Sequence, residues 1–92
     1  MDLSLTDFEG SVGEPFEIVF ADGTLPVVLE KAQELPRSVR EAGAFRLEWR
    51  GPADPSLVQA IYRFRRGERL FDMFIVPVGR DSSGTLYEAI FN

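Results

Sequence analysis

The sequence AFRLEWR, at residues 44–50, alternates apolar and charged side chains, and this pattern constrains the fold more than any other feature. A period of two predicts an antiparallel strand with one buried face and one wet face. GPADP, at residues 51–55, then ends the strand, because proline has no N–H for the ladder and restricts the preceding residue. We expect Gly51 to free the backbone for a corner across one end of a sheet.

Five further segments predict strands from their alternation and from the turn signals between them. Asp22-Gly23 is a strong hairpin turn that joins residues 16–20 to a return strand over 25–35. The later part of this return strand also has helical propensity, but the hairpin needs it as a pairing partner. The remaining strands are predicted at 57–66, 69–78 and 85–91, with a polar loop at 36–43.

The N-terminal segment predicts a short helical turn. Thr6 and Glu9 have the spacing of a capping box, in which the two residues satisfy each other's backbone donors. We therefore expect residues 6–11 to form about one helical turn. Phe8 and Val12 would lay this turn over the end of a barrel.

Together these elements predict an all-β fold, a small antiparallel barrel or sandwich of about six strands with a short N-terminal helical turn. Residues 1–92 are expected to form a single β domain. Eight Phe, two Tyr and one Trp supply its core, since each aromatic side chain buries roughly 150–250 Å². A barrel this small and this rich in Phe is expected to be filled by its own side chains.

The charges are distributed unevenly along the chain. Residues 1–30 carry seven acids and no base, whereas residues 31–80 carry all ten bases and six acids. We expect the two parts to lie side by side and neutralise each other; the alternative is a dipolar surface that orients a partner. The net charge of −5 and the isoelectric point near 4.6 argue against nucleic-acid binding.

The side chains that carry most enzyme chemistry are missing. The chain has no His and no Cys, so the commonest general base, the usual metal ligands and the thiol nucleophile are absent. RDSSG at residues 80–84 lacks the ligand count of a calcium loop, and GSVG at residues 10–13 is too short for a phosphate loop. We predict a protein that is not an enzyme, with no catalytic, cofactor-binding or metal-binding residues.

The cellular location is predicted from two kinds of segment that the sequence lacks. The acidic start of the chain lacks the basic and apolar regions of a signal peptide. No apolar run approaches the roughly 20 residues that cross a bilayer. A cytoplasmic protein without membrane contact is therefore expected.

Two features favour a protein partner of unknown identity. The first is a group of arginines, Arg46 and Arg50 on one strand and Arg63 and Arg65 on another. If these strands pair, the four guanidinium groups share one outer face that suits an acidic partner. The alternative is cross-strand pairing of these arginines with Glu48, Asp72 or Glu88.

The second feature is the strand over residues 70–78, which is apolar on both faces. Such a strand must be covered on both sides, either by other parts of the chain or by another subunit. A homo-oligomer through this strand is one prediction. A different class of function, a barrel that binds a small ligand or carbohydrate through Trp49, Tyr62 and Tyr87, is kept as the alternative to an interaction module.

Four motifs, LTDFEGSVGEPF, AFRLEWRGPADPSL, FIVPVG and LYEAIFN, together resemble a family of small bacterial proteins classed as a domain of unknown function. The resemblance runs from about residue 3 to the C-terminus. It brings no catalytic residue with it. It implies an accessory or structural role, as a companion of phage-tail-like collar or fibre proteins.

Overall fold

The computed structural model describes residues 3–36 and 43–91, and in this part of the chain six strands form one closed antiparallel barrel. The strands are β1 Pro15–Phe20, β2 Gly23–Glu34, β3 Phe45–Gly51, β4 Ala60–Arg66, β5 Arg69–Asp81 and β6 Gly84–Phe91. Their order around the barrel is β1-β2-β3-β6-β5-β4, with β4 returning to β1. The all-β prediction is confirmed, and the structure is a barrel rather than a sandwich. Most of the predicted loop at 36–43 lies outside the described residues.

Alternation along the strands fills the barrel interior with large side chains. In β3 every second residue from Phe45 to Gly51 is buried, as the sequence predicted. Leu29, Trp49 and Tyr87 pair across three neighbouring strands and are fully buried. The Trp49 ring packs 4.8 Å from the rings of Phe16 and Phe64, measured between ring centroids. This aromatic layer occupies the centre of the barrel.

The N-terminal segment closes one end of the barrel. It forms two 3-10 helices, Leu5–Asp7 and Glu9–Ser11, and Phe8 between them is fully buried against the rings of the core. Val12 is 46% exposed and contributes little to this closure. No helix in the described part of the chain is long and apolar enough to span a membrane.

The predicted capping box is wrong by two residues. The Ser4 N–H donates to Asp7 Oδ2 at 2.8 Å, so Ser4 and Asp7 occupy the positions predicted for Thr6 and Glu9. The Thr6 hydroxyl instead lies 2.9 Å from the Ser4 hydroxyl. The Ser4–Asp7 and Thr6–Glu9 pairs have the same spacing, and the burial of Phe8 favours the helix that begins nearer the N-terminus.

The corner after β3 has a different cause from the predicted one. Gly51 still belongs to β3, and its φ angle is not in the left-handed region. A Cβ atom on Gly51 would lie 3.3 Å from both the Tyr87 ring and the Val27 side chain. Glycine at this position lets the Tyr87 and Val27 side chains pack close to the β3 backbone. The chain then passes through a cis Asp54-Pro55 peptide bond and reaches β4 at Ala60.

Candidate interaction surface

The four arginines predicted to share one face lie on opposite walls of the barrel. Arg46 and Arg50 are on β3, Arg63 and Arg65 are on β4, and two strands separate β3 from β4 in either direction. The prediction of a single arginine face is therefore wrong, because it required β3 and β4 to pair.

Arg46 is held by polar side chains of the strands on both sides of β3. Its guanidinium donates to Glu88 at 2.7 Å, to Glu48 at 3.1 Å and to the Gln33 amide oxygen at 2.6 Å. The hydrogen bond to Glu88 is the main cause of the raised pKa of Arg46. The side chain is only 19% exposed, so most of its donors face the protein.

Arg50 makes a second group of contacts near the turn between β5 and β6. It donates to Glu30 of β2, to Asp81 at 3.0 Å and to the Ser83 hydroxyl at 2.7 Å. The hydrogen bond to Glu30 contributes most to its raised pKa. Hydrogen bonds from Ser83, and then from Arg50, lower the pKa of Asp81. This group ties β2, β3 and the β5–β6 turn together.

Arg63 and Arg65 are paired on the opposite wall. Arg63 contacts Asp72 at 3.0 Å, and Arg65 contacts Glu17 at 2.7 Å. All four arginines are thus paired with acids, as the alternative interpretation from the sequence expected. Arg46 and Arg63 use the predicted partners, whereas Arg50 and Arg65 pair with acids that it did not name. Glu17 and Glu30 come from the acidic N-terminal third, so the expected neutralisation between the two parts of the chain is also found. A role of these arginines in partner binding stays a prediction.

The outer surface of β4, β5 and β6 carries an apolar row made of Ile61, Phe74 and Ile90, here called the Phe74 row. Ile61 pairs with Phe74 across β4 and β5. On β5 and β6, Phe74 and Ile90 each stand two residues beyond Val76 and Glu88, the last β5–β6 pair in that direction. The three side chains are 68%, 51% and 51% exposed, in that order. At Phe74, therefore, the described residues do not cover the second face of the 70–78 strand.

Charged pairs border the Phe74 row. The next outward-facing pair along β4 and β5 is Arg63 with Asp72, whose side chains are about half exposed. Beyond Ile90 the neighbouring residue on β3 is Arg46, with its carboxylate partners. The surface thus has an apolar centre and an ion-paired border.

The sequence predicted only one part of this row, the strand over residues 70–78 that carries Phe74. Ile61 and Ile90 stand at positions where the neighbouring outward residues are polar, Arg63 on β4 and Glu88 on β6. An isoleucine at such a position is the signal that could have revealed the row, once the order of the strands is known.

The chain was compared with known protein families, curated proteins and solved structures. The family described as a domain of unknown function, DUF6916, matches residues 3–91. The chain belongs to this family. No curated protein and no solved structure matches it. The predicted membership in a domain-of-unknown-function family is thereby confirmed.

The three aromatic residues proposed for ligand binding are engaged within the DUF6916 barrel. Trp49 and Tyr87 are fully buried, and the Tyr87 hydroxyl accepts a hydrogen bond from the Leu57 N–H at 2.8 Å. The Tyr62 hydroxyl donates to the Val58 carbonyl at 2.7 Å, and burial raises the pKa of Tyr62. No polar partner for Trp49 Nε1 is found among the described residues.

The carboxylates of the DUF6916 domain were also examined as metal ligands. No group of three or more Asp or Glu residues that could hold a metal ion occurs at residues 3–36 and 43–91. Several carboxylates contact arginine, among them Glu17, Glu88 and Asp72.

Proposed function

We propose that this DUF6916 domain is a protein-interaction module without enzymatic activity, an accessory or structural component of a larger assembly. The observation that carries the proposal is the Phe74 row, three large apolar side chains on three neighbouring strands, each at least half exposed on the barrel wall. Single exposed apolar residues are ordinary, but adjacent ones mark contact surfaces. The sequence resemblance favours a phage-tail-like structure as the larger assembly.

The occupant of the Phe74 row is a different protein with an apolar contact patch. Protein interfaces have an apolar, aromatic centre and a polar rim, which is the arrangement of Phe74 and the bordering Arg63–Asp72 pair. Nucleic acid is disfavoured here, because a nucleic-acid surface needs unpaired basic residues and the bordering arginines are paired with carboxylates.

The absence of catalysis is supported by the chemistry of the chain. A general base or nucleophile would have to come from carboxylates, hydroxyls or the single lysine, because His and Cys are absent. Glu17 and Asp81 are paired with arginine and have lowered pKa values, the reverse of what a general acid needs.

The test is affinity capture from the native host with three forms of the protein: wild type, Phe74→Glu and Val12→Glu. Val12 is also an exposed apolar residue, but it lies beside the N-terminal helices, so the control adds the same charge at a different surface. Folding of each variant is checked by the emission of Trp49, the single tryptophan, which is fully buried.

The proposal expects a protein that is captured by wild type and by Val12→Glu but not by folded Phe74→Glu. Equal capture by all three forms would place the contact elsewhere. Sedimentation velocity of the purified forms tests whether the Phe74 row instead binds a second copy of the chain. A wild-type dimer that becomes a monomer in Phe74→Glu would show this and would contradict the proposal.

A further inference from the structure

A cleft lies beside the β4–β5 hairpin turn, where the ladder between β1 and β4 stops. β1 and β4 pair only from Val19 with Arg63 to Glu17 with Arg65, and the two strands separate beyond that point. The cleft has a volume of about 740 Å³. Its lining consists of Pro15, Phe16, Glu17, Pro26, Arg65, Arg66, Gly67 and Arg69.

Two arginines face each other across the hairpin at this cleft. Arg66 and Arg69 are directly paired in the β4–β5 register, on either side of the turn at Gly67. Like charges opposite each other in a sheet reduce stability. An anion bound between them would remove this cost.

Arg66 and Arg69 are positioned by backbone carbonyls and aromatic rings, and Arg66 is also paired with Glu14. Arg66 donates to the Pro15 carbonyl at 2.8 Å, lies 5.1 Å from the centre of the Phe16 ring, and is 3.6 Å from Glu14. Arg69 approaches the Asp7 carbonyl at 3.4 Å and the Phe71 ring at 5.8 Å. Arg69 has no carboxylate partner within 4.0 Å among the described residues.

The other charges near the cleft are accounted for. Glu17 is bound by Arg65 at 2.7 Å and by the Thr24 hydroxyl at 3.2 Å, so these two cleft charges offset each other. Glu68, in the turn, does not line this cleft; it lines a second one with Leu70 and Phe71, and Arg69 borders both clefts. Arg66 is paired with Glu14 at 3.6 Å, so the uncompensated positive charge that faces the cleft comes mainly from Arg69, above an apolar wall of prolines.

We infer that this cleft binds an acidic segment of a protein partner, whose carboxylates contact Arg66 and Arg69 while its apolar side chains pack on Pro15 and Pro26. Arginine binds carboxylates through paired donors and is the basic residue enriched at interfaces. Arg65 and Ile61 lie on the same side of β4, four residues and thus about 13 Å apart, so one partner can reach both the cleft and the Phe74 row. The inference rests on the proposed function in this respect.

The test uses a fluorescein-labelled peptide of repeated Leu-Glu-Glu units as the probe, with fluorescence anisotropy as the measurement. The variants are Arg66→Gln and Arg69→Gln, which remove a charge and keep a long polar side chain. The matched control is Arg80→Gln, because Arg80 is an exposed arginine at the other end of β5 with no ion pair among the described residues. Trp49 emission verifies that each variant is folded, and Arg69→Gln serves if loss of the Arg66–Phe16 contact prevents folding.

The inference expects the peptide to bind wild type and Arg80→Gln alike, and each cleft variant to bind about tenfold more weakly, as the loss of a charged hydrogen bond requires. A peptide of repeated Leu-Lys-Lys units should not bind. Absence of binding to the acidic peptide, or equal binding by all variants, overturns the inference. Displacement of the peptide by equimolar inorganic phosphate would also overturn it, because the cleft would then be a site for small anions.

The outcomes of this test and of the test of the proposed function can be distinguished. If Phe74→Glu leaves partner capture unchanged while Arg66→Gln and Arg69→Gln no longer bind the peptide, the Phe74 row is not the contact surface, and the inference about the cleft is still supported. If the peptide result is negative and Phe74→Glu abolishes capture, the interaction module stands and the cleft is not its site for acidic segments.

Discussion

Replacing Phe8 by alanine tests whether the N-terminal segment is part of the barrel core. Phe8 belongs to no strand, yet it is fully buried, with ring centroids 5.5 Å from Phe71, 6.2 Å from Phe45 and 6.4 Å from Trp49. Truncating a buried phenylalanine removes its transfer free energy and leaves a cavity, which together cost about 3–5 kcal/mol. A domain of this size has a free energy of unfolding of roughly 5–14 kcal/mol, so the loss is a large fraction of the total.

The assay is urea unfolding followed by the emission of Trp49, which lies beside Phe8 in the core. With a denaturant slope of about 1.5 kcal/mol per molar, the midpoint should fall by roughly 2–3 M. The control is Val12→Ala, which removes a half-exposed side chain from the same segment and should change stability by under about 1 kcal/mol. A Phe8→Ala loss as small as that of Val12→Ala would refute the claim that this segment closes the barrel.

Three other predictions concern the strand ends and the ion pairs. Deletion of residues 85–91 removes β6 from between β3 and β5, so the barrel should lose its closure and precipitate; a soluble deletion with an unchanged melting temperature would contradict this. Arg46→Gln should cost about 1.5–3 kcal/mol because its charged hydrogen bonds are shielded, whereas Arg63→Gln, on an exposed pair, should lower the urea midpoint much less; equal losses would show that burial does not set these energies. Arg65 lowers the pKa of Glu17, so this pKa is lower in the folded protein than in the unfolded chain. The stabilisation by ionised Glu17 is therefore present above about pH 4 and is lost as the pH falls through the folded pKa. Glu17→Gln should then reduce the dependence of the melting temperature on pH in the acid range.

The strands were predictable because extended backbone places successive side chains on opposite faces. β3 has a short-range pattern that identifies its buried face without knowledge of any neighbour, and the burial along Phe45–Gly51 follows it. The hairpin from β1 to β2 was likewise predictable, although its turn lies one residue earlier than predicted: Ala21 and Asp22 form the loop, and Gly23 already pairs with Phe20.

The neighbours of each strand were harder to predict, and this is why the arginine face was wrong. Alternation indicates that Arg46 and Arg63 point outward, but not which strands lie beside them. Arg63 finds Asp72 across a hairpin, a local pairing, whereas Arg46 finds Glu88, 42 residues along the chain, only because β3 pairs with β6. The closed order of the strands is a property of the whole chain.

The candidate surface was predictable in part for the same reason. The sequence shows that residues 70–78 are apolar on both sides, and hence that one side needs a cover. It does not show that Phe74 pairs with Ile61 or that Ile90 is on the next strand, because that arrangement depends on the register and order of the strands. The cleft at Arg66 was hidden too, since it forms where the β1–β4 ladder stops.

Site-specific photo-crosslinking is the most direct test of the central claim, that the Phe74 row is where this domain contacts another protein. A photoreactive phenylalanine analogue is placed at position 74, where it retains an aromatic ring, and in a control at position 12, an exposed apolar residue outside the Phe74 row. Both forms are irradiated in the native host, and the adducts are identified by mass spectrometry. The account predicts a defined adduct with a different protein from position 74 and none from position 12. An adduct from position 12 alone, or an adduct from position 74 only with a second copy of this chain, would contradict it.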